Sequence, residues 1–394
     1  MITGGAGVGK TSVLEALLYV LNQSGGMAIQ MALAGRAAKR MQEATGEDAI
    51  TIAGFLNKLD QDKLQSATHI IIDECSMVDL YSMVRIFKCL EFSQKIIFVG
   101  DAAQLPPVGA GKVFHVLSDS LSVHVTRLTK VWRQDESTGI PMVSQSVREG
   151  SWNMLPVYNG KNAGVSVVSA VSENIFGKIE KVFNELGGID EQADVKIICP
   201  TTKDSGWGTL GINRKLSQIY AGDNQQVCLT RGNSAPEPTG LKVGDVVMAT
   251  VNNWEKDIMN GSLGKVIRLA TISEVDEAQR ASLPLPIISV AFDNGEVLLD
   301  ENDIETLQWG YAITCHKAQG SQFRRVIIPV INGRMIDRTW IYTALTRGIK
   351  QVVFIGNIDL IKQAVNKPPT IDSRIVGLNH HIEQLQLSQI NRFA

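Results

Sequence analysis

Long apolar runs and paired cysteines are both missing from this sequence of 394 residues. No stretch of eighteen or more apolar residues occurs, and no basic segment precedes a short apolar one, so neither a membrane span nor an export signal is expected. The five cysteines are odd in number and lack C-x-x-C spacing, which argues against a disulfide framework or a zinc site. We therefore predict a cytoplasmic protein that does not associate with a membrane.

An excess of charge of one sign is also missing, since the formal net charge is -2 at pH 7. This balance says nothing for or against nucleic acid as a partner, because an acidic surface can mask a local basic groove. The length of the chain indicates two or three domains rather than one. The identity of the partner therefore has to be inferred from the functional residues.

Short apolar segments alternate with helical patterns in two series along the chain. The first series begins with a strand at 1–3, a glycine loop and an apolar-periodic helix at 13–21. Further buried strands are expected at 28–33, 69–72, 95–99, 195–198, 325–331 and 351–355. This alternation predicts an α/β fold with parallel sheets, in two lobes that span 1–157 and 158–240 with 306–394.

A different sequence pattern interrupts the second series of strands and helices between residues 241 and 305. Short β-type segments at 245–250, 265–269, 287–292 and 296–299 are separated there by Asn-Gly and glycine-rich turns. Such turns join antiparallel strands, whereas parallel strands need longer crossovers. We therefore predict a small β-barrel domain inserted into the second lobe.

The strongest motif is Gly-Gly-Ala-Gly-Val-Gly-Lys-Thr at 4–11, which matches G-x-x-x-x-G-K-[ST] between a strand and a helix. Its glycines let backbone N–H groups curve around phosphate oxygens, and the helix N-terminus adds its positive end. Lys10 can reach the β- and γ-phosphates, and the Thr11 hydroxyl can hold Mg²⁺. ATP and Mg²⁺ are therefore the predicted cofactors. The predicted nucleotide ligands in this segment are Gly5, Gly7, Gly9, Lys10, Thr11 and Ser12.

Two later strand ends supply polar groups that complete this chemistry. Asp73 and Glu74 follow three isoleucines, and a carboxylate at the end of a buried strand needs a partner such as Mg²⁺. Asp73 is positioned to hold the metal through water, and Glu74 to orient and deprotonate the attacking water. Gln104 in the segment 99–107 offers a neutral amide to the γ-phosphate or the water. Taken alone, the acidic pair could cap a helix and the Gln104 segment could be a simple turn.

Together with these motifs, five further segments occur in the same order as in the superfamily 1 helicases. They lie at 128–133, 198–201 with Asn213, 260–264, 314–320 and 342–347. The chain resembles the branch that contains RecD-type exonuclease V subunits and TraI-like proteins, over nearly its whole length. The resemblance implies two RecA-like lobes, ATP in the cleft between them, single-stranded DNA as the track and an SH3-like domain as the insertion.

The same resemblance assigns roles to further residues. It implies that Arg133 and Arg347 are arginine fingers, a role suited to a planar guanidinium that neutralises charge on the transferred phosphoryl group. Gly320 and Gln322 are implied as nucleotide contacts. The implied nucleic-acid contacts are Gly35, Arg36, Thr51, Pro107, Thr314 and His316. Movement from 5′ to 3′ and partners in a recombination, repair or conjugation complex follow from the resemblance alone, and an RNA track stays open.

The sequence departs from the family pattern at several of these positions. Ala34 and Ala53 stand where relatives carry a threonine and a histidine in DNA-contact motifs, and Gln322 stands where many carry a glutamate. The span 54–68 is only long enough for a helix and a turn, so the strand-separating pin is expected to be reduced. The sequence also begins at the phosphate loop, without the segment whose glutamine usually recognises adenine, so either it is trimmed or its base selectivity is poor.

Two other readings compete with a helicase or translocase. The chain could be an ATP-gated nucleic-acid clamp or loading factor that uses hydrolysis only for release. It could also be a degenerate pair of lobes with a structural role in a larger complex. The intact Lys10, Glu74, Arg133 and Arg347 argue against the structural role.

Overall fold

The computed structural model of the protein describes residues 1–58, 61–131, 138–188, 194–229, 235–331 and 336–393, without the side chains of 58, 61 and 386–393. Two compact units are present. The first contains Met1–Asn153, Asp337–Thr346 and Gln363–Ala394, and the second contains Met154–Ile336 and Arg347–Lys362. The lobe and insertion limits named from the sequence stay a prediction.

Strands and helices alternate through the first 153 residues. The strands are β1 (Ile2–Gly4), β2 (Ala28–Ala32), β3 (Ala49–Thr51), β4 (His69–Asp73), β5 (Lys95–Gly100) and β6 (Thr126–Leu128). The helices are α1 (Lys10–Gln23), α2 (Gly35–Thr45), α3 (Ile52–Lys58), α4 (Gln61–Ser66), α5 (Leu80–Cys89), α6 (Val113–Asp119) and α7 (Ile140–Arg148). The strands form one parallel sheet in the order β3-β2-β4-β5-β1-β6, which confirms the predicted α/β pattern.

The sheet of the first unit is buried on both faces. In β4, Ile70 and Ile72 pack into one apolar cluster and Ile71 packs into the other, and none of the three is exposed. Successive side chains of a strand point to opposite faces, and parallel sheets are covered by helices on both. The unbroken run of isoleucine is therefore the local reason why this strand lies in the middle of the sheet.

The second unit begins with β7 (Gly164–Ser169) and continues through a longer series. The next elements are α8 (Ile175–Glu185), β8 (Val195–Cys199), α9 (Thr209–Ala221), β9 (Gln226–Leu229), β10 (Glu237–Lys242), β11 (Val246–Ala249), β12 (Leu263–Leu269), α10 (Ile272–Arg280), β13 (Ile288–Phe292), β14 (Gly295–Leu299), α11 (Glu301–Glu305), β15 (Leu307–Trp309), β16 (Ala312–Thr314) and β17 (Phe323–Val330). Four of these strands with a later one, β18 (Gly348–Gly356), form a parallel sheet in the order β16-β8-β17-β18-β7.

Three helices complete the chain around and after β18. They are α12 (Arg338–Leu345), α13 (Ile358–Asn366) and α14 (Leu378–Phe393). Helix α12 belongs to the first unit, where it packs against α7. Among the described residues, none of the helices combines the length and the apolar character that crossing a membrane requires.

Residues 241–305 do not continue the parallel sheet. They contribute to an antiparallel sheet in the order β14-β13-β12-β11-β15, and β9 and β10 form a separate antiparallel pair. The predicted strands are confirmed, but α10 was not expected. It begins with a capping box, in which the Thr271 side chain accepts from the Glu274 N–H and the Glu274 carboxylate accepts from the Thr271 N–H. The SH3-like nature of this segment stays a prediction.

A buried aspartate joins this antiparallel sheet to the parallel core of the same unit. Asp245 is inaccessible to solvent and accepts hydrogen bonds from the Lys242 N–H at 2.8 Å, the Trp309 Nε1–H at 3.2 Å and the Tyr311 hydroxyl at 3.0 Å. Tyr311 lies in the apolar core around β8 and β17. Because a buried carboxylate is tolerated only when it is fully hydrogen-bonded, these three donors hold the two sheets at one point.

We expect Asp245→Ala to lower the free energy of unfolding of the second unit by about 3 kcal/mol, because the buried Tyr311 hydroxyl and two partly buried N–H groups lose their acceptor. Urea unfolding of the full chain measures this loss. The matched control is Asp276→Ala on the exposed face of α10, which should change stability by less than about 0.5 kcal/mol. Equal stability of the two variants would contradict a joining role for Asp245.

Candidate functional site

The phosphate loop joins β1 to α1 and has the backbone shape that its glycines permit. Gly7 and Gly9 have φ values of 75° and 84°, in the left-handed region that other residues seldom adopt. A Cβ on Gly4 would come within 2.7 Å of the Leu128 carbonyl oxygen on the neighbouring strand β6. Three glycines are thus required by backbone geometry and close packing. The loop ends at Lys10, where the free N–H groups of α1 begin.

Two side chains are bonded to this loop from opposite ends of the sequence. The Lys10 ammonium donates to the carbonyl oxygens of Gly4 and Gly5, at 2.9 Å each. The Ala6 N–H donates to the Tyr342 hydroxyl at 3.2 Å. The loop is therefore held by internal hydrogen bonds, and Lys10 points at its backbone.

The acidic pair follows β4 at the same edge of the sheet. Asp73 accepts from the Glu74 N–H at 2.8 Å, and Glu74 has a φ of 51°, a left-handed conformation that is strained for this residue type. Burial, followed by the negative charge of Glu74, raises the pKa of Asp73 to about 6, against the opposing effects of its backbone hydrogen bond, Lys10 and Arg40. Asp73 is thus a carboxylate for which a nearby cation would be strongly stabilising.

The segment after β5 contains a second buried carboxylate. Asp101 is inaccessible to solvent and accepts from the Ala103 N–H at 3.1 Å, from the Gln104 side-chain amide at 3.4 Å and from the Tyr342 hydroxyl at 2.9 Å. Gln104 is itself buried. The Leu105 N–H donates to the Thr343 hydroxyl at 2.9 Å, so helix α12 is bonded to this segment twice.

These groups meet because of the order of the strands. The loop after β1, the segment after β5 and the acidic pair after β4 all leave the carboxyl ends of adjacent parallel strands. Open α/β sheets bind ligands outside this edge. The first unit therefore brings together Gly5, Gly7, Gly9, Lys10, Thr11, Asp73, Glu74 and Gln104, with the exposed Ser12 on the first turn of α1.

The arrangement fits a nucleoside triphosphate with a divalent cation. The glycine loop and the N-terminus of α1 offer N–H donors to phosphate, and the Lys10 ammonium lies against the loop carbonyls, where a phosphate oxygen can replace them as its acceptor. Asp73 and the Thr11 hydroxyl are hard oxygen donors of the kind that Mg²⁺ prefers. The partly buried acidic pair favours a cation here, because a positive charge would offset the burial of Asp73 and the repulsion from Glu74 that raise the Asp73 pKa.

The other predicted residues are distributed over both units. In the second unit, Thr314 ends β16, the exposed His316 follows it, and Gly320 has a φ of 72°. Arg347 is buried and donates to the Ser321 carbonyl oxygen at 3.3 Å, one residue before Gln322. Four of these residues lie in the segment 314–322, and Arg347 directly precedes β18. The roles of all five stay predictions.

In the first unit, Gly35 and Arg36 begin α2, and Pro107 is buried after the Gln104 segment. Thr51 is buried, and its hydroxyl accepts from the Gly54 N–H at 2.9 Å, where α3 begins. The nucleic-acid role of these residues stays a prediction. Arg133 lies outside the described residues.

Asp101, Arg148 and Tyr342 are the residues that the sequence reasoning did not assign. Asp101 and Tyr342 stand inside motifs that the sequence did reveal, but a contact between residues 241 positions apart leaves no local pattern. Arg148 ends α7, and its guanidinium lies 3.1 Å from the position that a Cβ on Gly5 would take. Only the fold brings these side chains to the phosphate loop.

Comparison with known protein families gives matches at both ends of the chain. The AAA domain family matches residues 1–163, and the UvrD-like helicase C-terminal domain matches residues 310–355. The ATP-dependent RecD2 DNA helicase of Deinococcus radiodurans is 28% identical over 88% of this chain and 45% of its own length. The RecBCD enzyme subunit RecD of Mycobacterium tuberculosis is 26% identical over 93% of this chain and 68% of its own length. The chain thus spans less than half of the RecD2 relative.

Solved structures of Pif1 helicases have a similar fold. The Bacteroides Pif1 helicase in complex with ADP-AlF3 and single-stranded DNA aligns with a TM-score of 0.56 and 22% identity, over 98% of this chain and 93% of that one. A structure of two coordinating Pif1 helicases at forked DNA gives a TM-score of 0.57. At this level of identity the likeness concerns the fold, which is an α/β fold with parallel sheets like those of RecA-like lobes.

The strained, like-charged pair at the end of β4 generates a stability prediction. Glu74→Gln removes the repulsion that Glu74 exerts on Asp73, so we expect it to stabilise the protein by about 1 kcal/mol without nucleotide or divalent cation. The thermal unfolding midpoint in a chelating buffer measures this gain. Glu43→Gln, an exposed charge on α2, is the control and should leave the midpoint unchanged. A lower midpoint for Glu74→Gln would show that the carboxylate has a structural partner.

Proposed function

Because this chain belongs to the superfamily 1 helicases of the RecD/TraI type, we propose that it hydrolyses ATP to move along single-stranded DNA. The observation that carries the proposal is the meeting of the phosphate loop, the Asp73–Glu74 pair and Gln104 at the carboxyl edge of one parallel sheet. A phosphate loop alone binds nucleotide, whereas hydrolysis also needs a base and a metal ligand. The first unit supplies all three.

In this function, Lys10 and the N–H groups of α1 bind the phosphates, and Thr11 and Asp73 hold Mg²⁺, which neutralises charge on the phosphate oxygens. Glu74 orients a water molecule in line with the γ-phosphate and accepts its proton. Glu74 has a left-handed backbone directly after β4, a strained conformation of the kind that is found at active sites. Gln104 bonds the water or the γ-phosphate without a change of charge.

Arg347 is proposed as an arginine finger from the second lobe. Its planar guanidinium would neutralise charge that spreads over the transferred phosphoryl group. A residue that makes this contact only in the closed state would couple hydrolysis to the movement of the lobes. The same role for Arg133 rests on the family motif alone.

Single-stranded DNA is proposed as the track, with movement from 5′ to 3′. The support is the family membership together with Thr314 and His316, which stand where the family pattern has DNA contacts. The described residues of the span 54–68 form the helices α3 and α4. We therefore propose that the strand-separating pin is reduced, and that partners in a recombination, repair or conjugation complex supply what this chain lacks.

The ATPase assignment predicts a separation of effects among three substitutions. Lys10→Ala should abolish both nucleotide binding and turnover, because the phosphates lose their cation. Glu74→Gln should lower turnover by at least about a hundredfold while nucleotide affinity is retained, and Arg347→Ala should behave in the same way. The measurements are steady-state phosphate release with Mg²⁺ and equilibrium binding of a fluorescent nucleotide.

Lys181→Ala, an exposed substitution on α8, serves as the control with wild-type values. Wild-type turnover in Glu74→Gln would contradict the assignment of the base. A large loss of affinity with unchanged turnover in Arg347→Ala would make it a ground-state ligand rather than an arginine finger.

The proposed track predicts how DNA affects hydrolysis. We expect single-stranded DNA to stimulate hydrolysis, and we expect DNA binding to weaken steeply as the salt concentration is raised. We expect this chain alone to unwind little of a long forked duplex. Ala34→Thr restores a hydroxyl at the start of α2 and should tighten DNA binding by about tenfold, which corresponds to about 1.4 kcal/mol for one hydrogen bond to a phosphate. Ala53→His adds a ring that can stack on a base. Fluorescence anisotropy and strand separation measure the two outputs.

Stimulation by double-stranded DNA or RNA in place of single-stranded DNA would change the assigned track. Processive unwinding by the unmodified chain would refute the reduced pin. Hydrolysis stimulated by single-stranded DNA without movement, measured by displacement of streptavidin from a biotinylated end, would favour the clamp or loading factor.

A further inference from the structure

Tyr342 connects the phosphate loop to a buried carboxylate within the first unit. Its hydroxyl oxygen lies 3.2 Å from the Ala6 nitrogen and 2.9 Å from the Asp101 Oδ2. The tyrosine is 3% exposed and projects from α12, which packs against α7. One side chain from near the end of the sequence thus reaches the loop at its beginning.

The direction of both hydrogen bonds follows from the chemistry of the three groups. A carboxylate only accepts, and a backbone N–H only donates, so the single hydroxyl proton must point at Asp101 while a lone pair accepts from Ala6. Burial, and next the charge of Asp101, raises the pKa of Tyr342, so this proton stays on the hydroxyl. The hydroxyl is fully satisfied only when both neighbours are in place.

The loop is shaped to admit this hydroxyl. A Cβ on Gly5 would lie 3.0 Å from the Tyr342 oxygen and 3.1 Å from the Arg148 guanidinium, closer than such contacts normally allow. Gly5 has no positive φ, so the requirement for glycine here is the space and not the backbone conformation. The missing side chain makes room for the tyrosine.

The same stretch of loop is the one to which Lys10 is bonded. Lys10 donates to the carbonyl oxygens of Gly4 and Gly5, and Tyr342 takes up the N–H of the next residue, Ala6. A phosphate that draws Lys10 away from those carbonyls and takes up loop N–H groups would compete with Tyr342 for Ala6. The Tyr342 hydroxyl and a bound phosphate would therefore accept from the same donor, the Ala6 N–H.

We propose that Tyr342 is a positioning residue that occupies the Ala6 N–H of the phosphate loop until a nucleotide phosphate displaces it. The proposal rests on the proposed function, because it requires that the loop binds ATP. Displacement would leave the hydroxyl bonded to Asp101 alone, and Asp101 also accepts from the Gln104 amide. Phosphate binding at the loop would therefore affect the hydrogen bonds that Asp101 accepts from Gln104 and from Tyr342 of α12. This helix ends two residues before Arg347.

The test is Tyr342→Phe, which deletes one oxygen and keeps the ring. Loss of an internal competitor should tighten binding of a non-hydrolysable ATP analogue by about three- to tenfold in the absence of DNA, the range of one neutral hydrogen bond. The KM for ATP should fall by a similar factor without a rise in maximal turnover. A residue that only supported the fold would give the opposite sign, since local loosening weakens binding.

Tyr311→Phe is the matched control, because it deletes another buried hydroxyl that donates to an aspartate, at 3.0 Å, in the second unit. Its nucleotide affinity should stay within twofold of wild type. Unchanged or weaker binding by Tyr342→Phe would overturn the proposal. Lys10→Ala distinguishes a failure of the proposed function from a failure of the role proposed for Tyr342. Wild-type nucleotide binding and turnover in Lys10→Ala would refute the proposed function. Loss of both in Lys10→Ala, together with unchanged nucleotide binding in Tyr342→Phe, would refute only the role of Tyr342.

Discussion

The parallel pairing of β4, β5 and β1 is the constraint on which the first unit depends. Thr3 of β1 is in register with Gly100 of β5, and Ile72 of β4 is in register with Phe98 of β5. The three strands therefore end at nearly the same level of the sheet. Burial of the apolar side chains on both faces keeps β4 in the middle of the sheet, between β2 and β5. The site is therefore a consequence of packing: the polar groups meet where the buried strands end.

The polar groups at this edge satisfy one another in the absence of a ligand. Lys10 is bonded to loop carbonyls, Ala6 to Tyr342, and Asp101 to three donors. The bond between Ala6 and Tyr342 joins two neutral groups and contributes little net free energy. A charged phosphate offers the Ala6 N–H a charge-assisted bond, which is about twice as strong as a neutral one. The internal partners thus keep the loop ordered without preventing exchange for a ligand.

The sequence was sufficient to predict elements whose information is local. The phosphate loop, the Asp73–Glu74 strand end and the strands β1, β2, β4, β5, β8, β17 and β18 follow from spacing and apolar runs, whereas β3, β6, β7 and β16 were not predicted. Helix α10 was also encoded locally, by the capping sequence at 271–274, but it was hidden among β-type segments. The contacts of Tyr342 and Asp245 were not predictable, because they join residues that are distant in the sequence and have no periodicity. The arrangement of side chains around Gly5 is of the same kind.

Ala34 and Ala53 stand where the family pattern has polar DNA-contact residues, and the hydrogen bonds near these two positions differ. Thr51 is buried, and its hydroxyl oxygen accepts from the Gly54 N–H where α3 begins. Ala34 precedes α2 without any side-chain cap, so no comparable side-chain hydrogen bond is present at the start of α2. In the proposed function, the first N–H groups of α2 and the Arg36 side chain bind the strand at this point without the hydroxyl that the family pattern has at position 34.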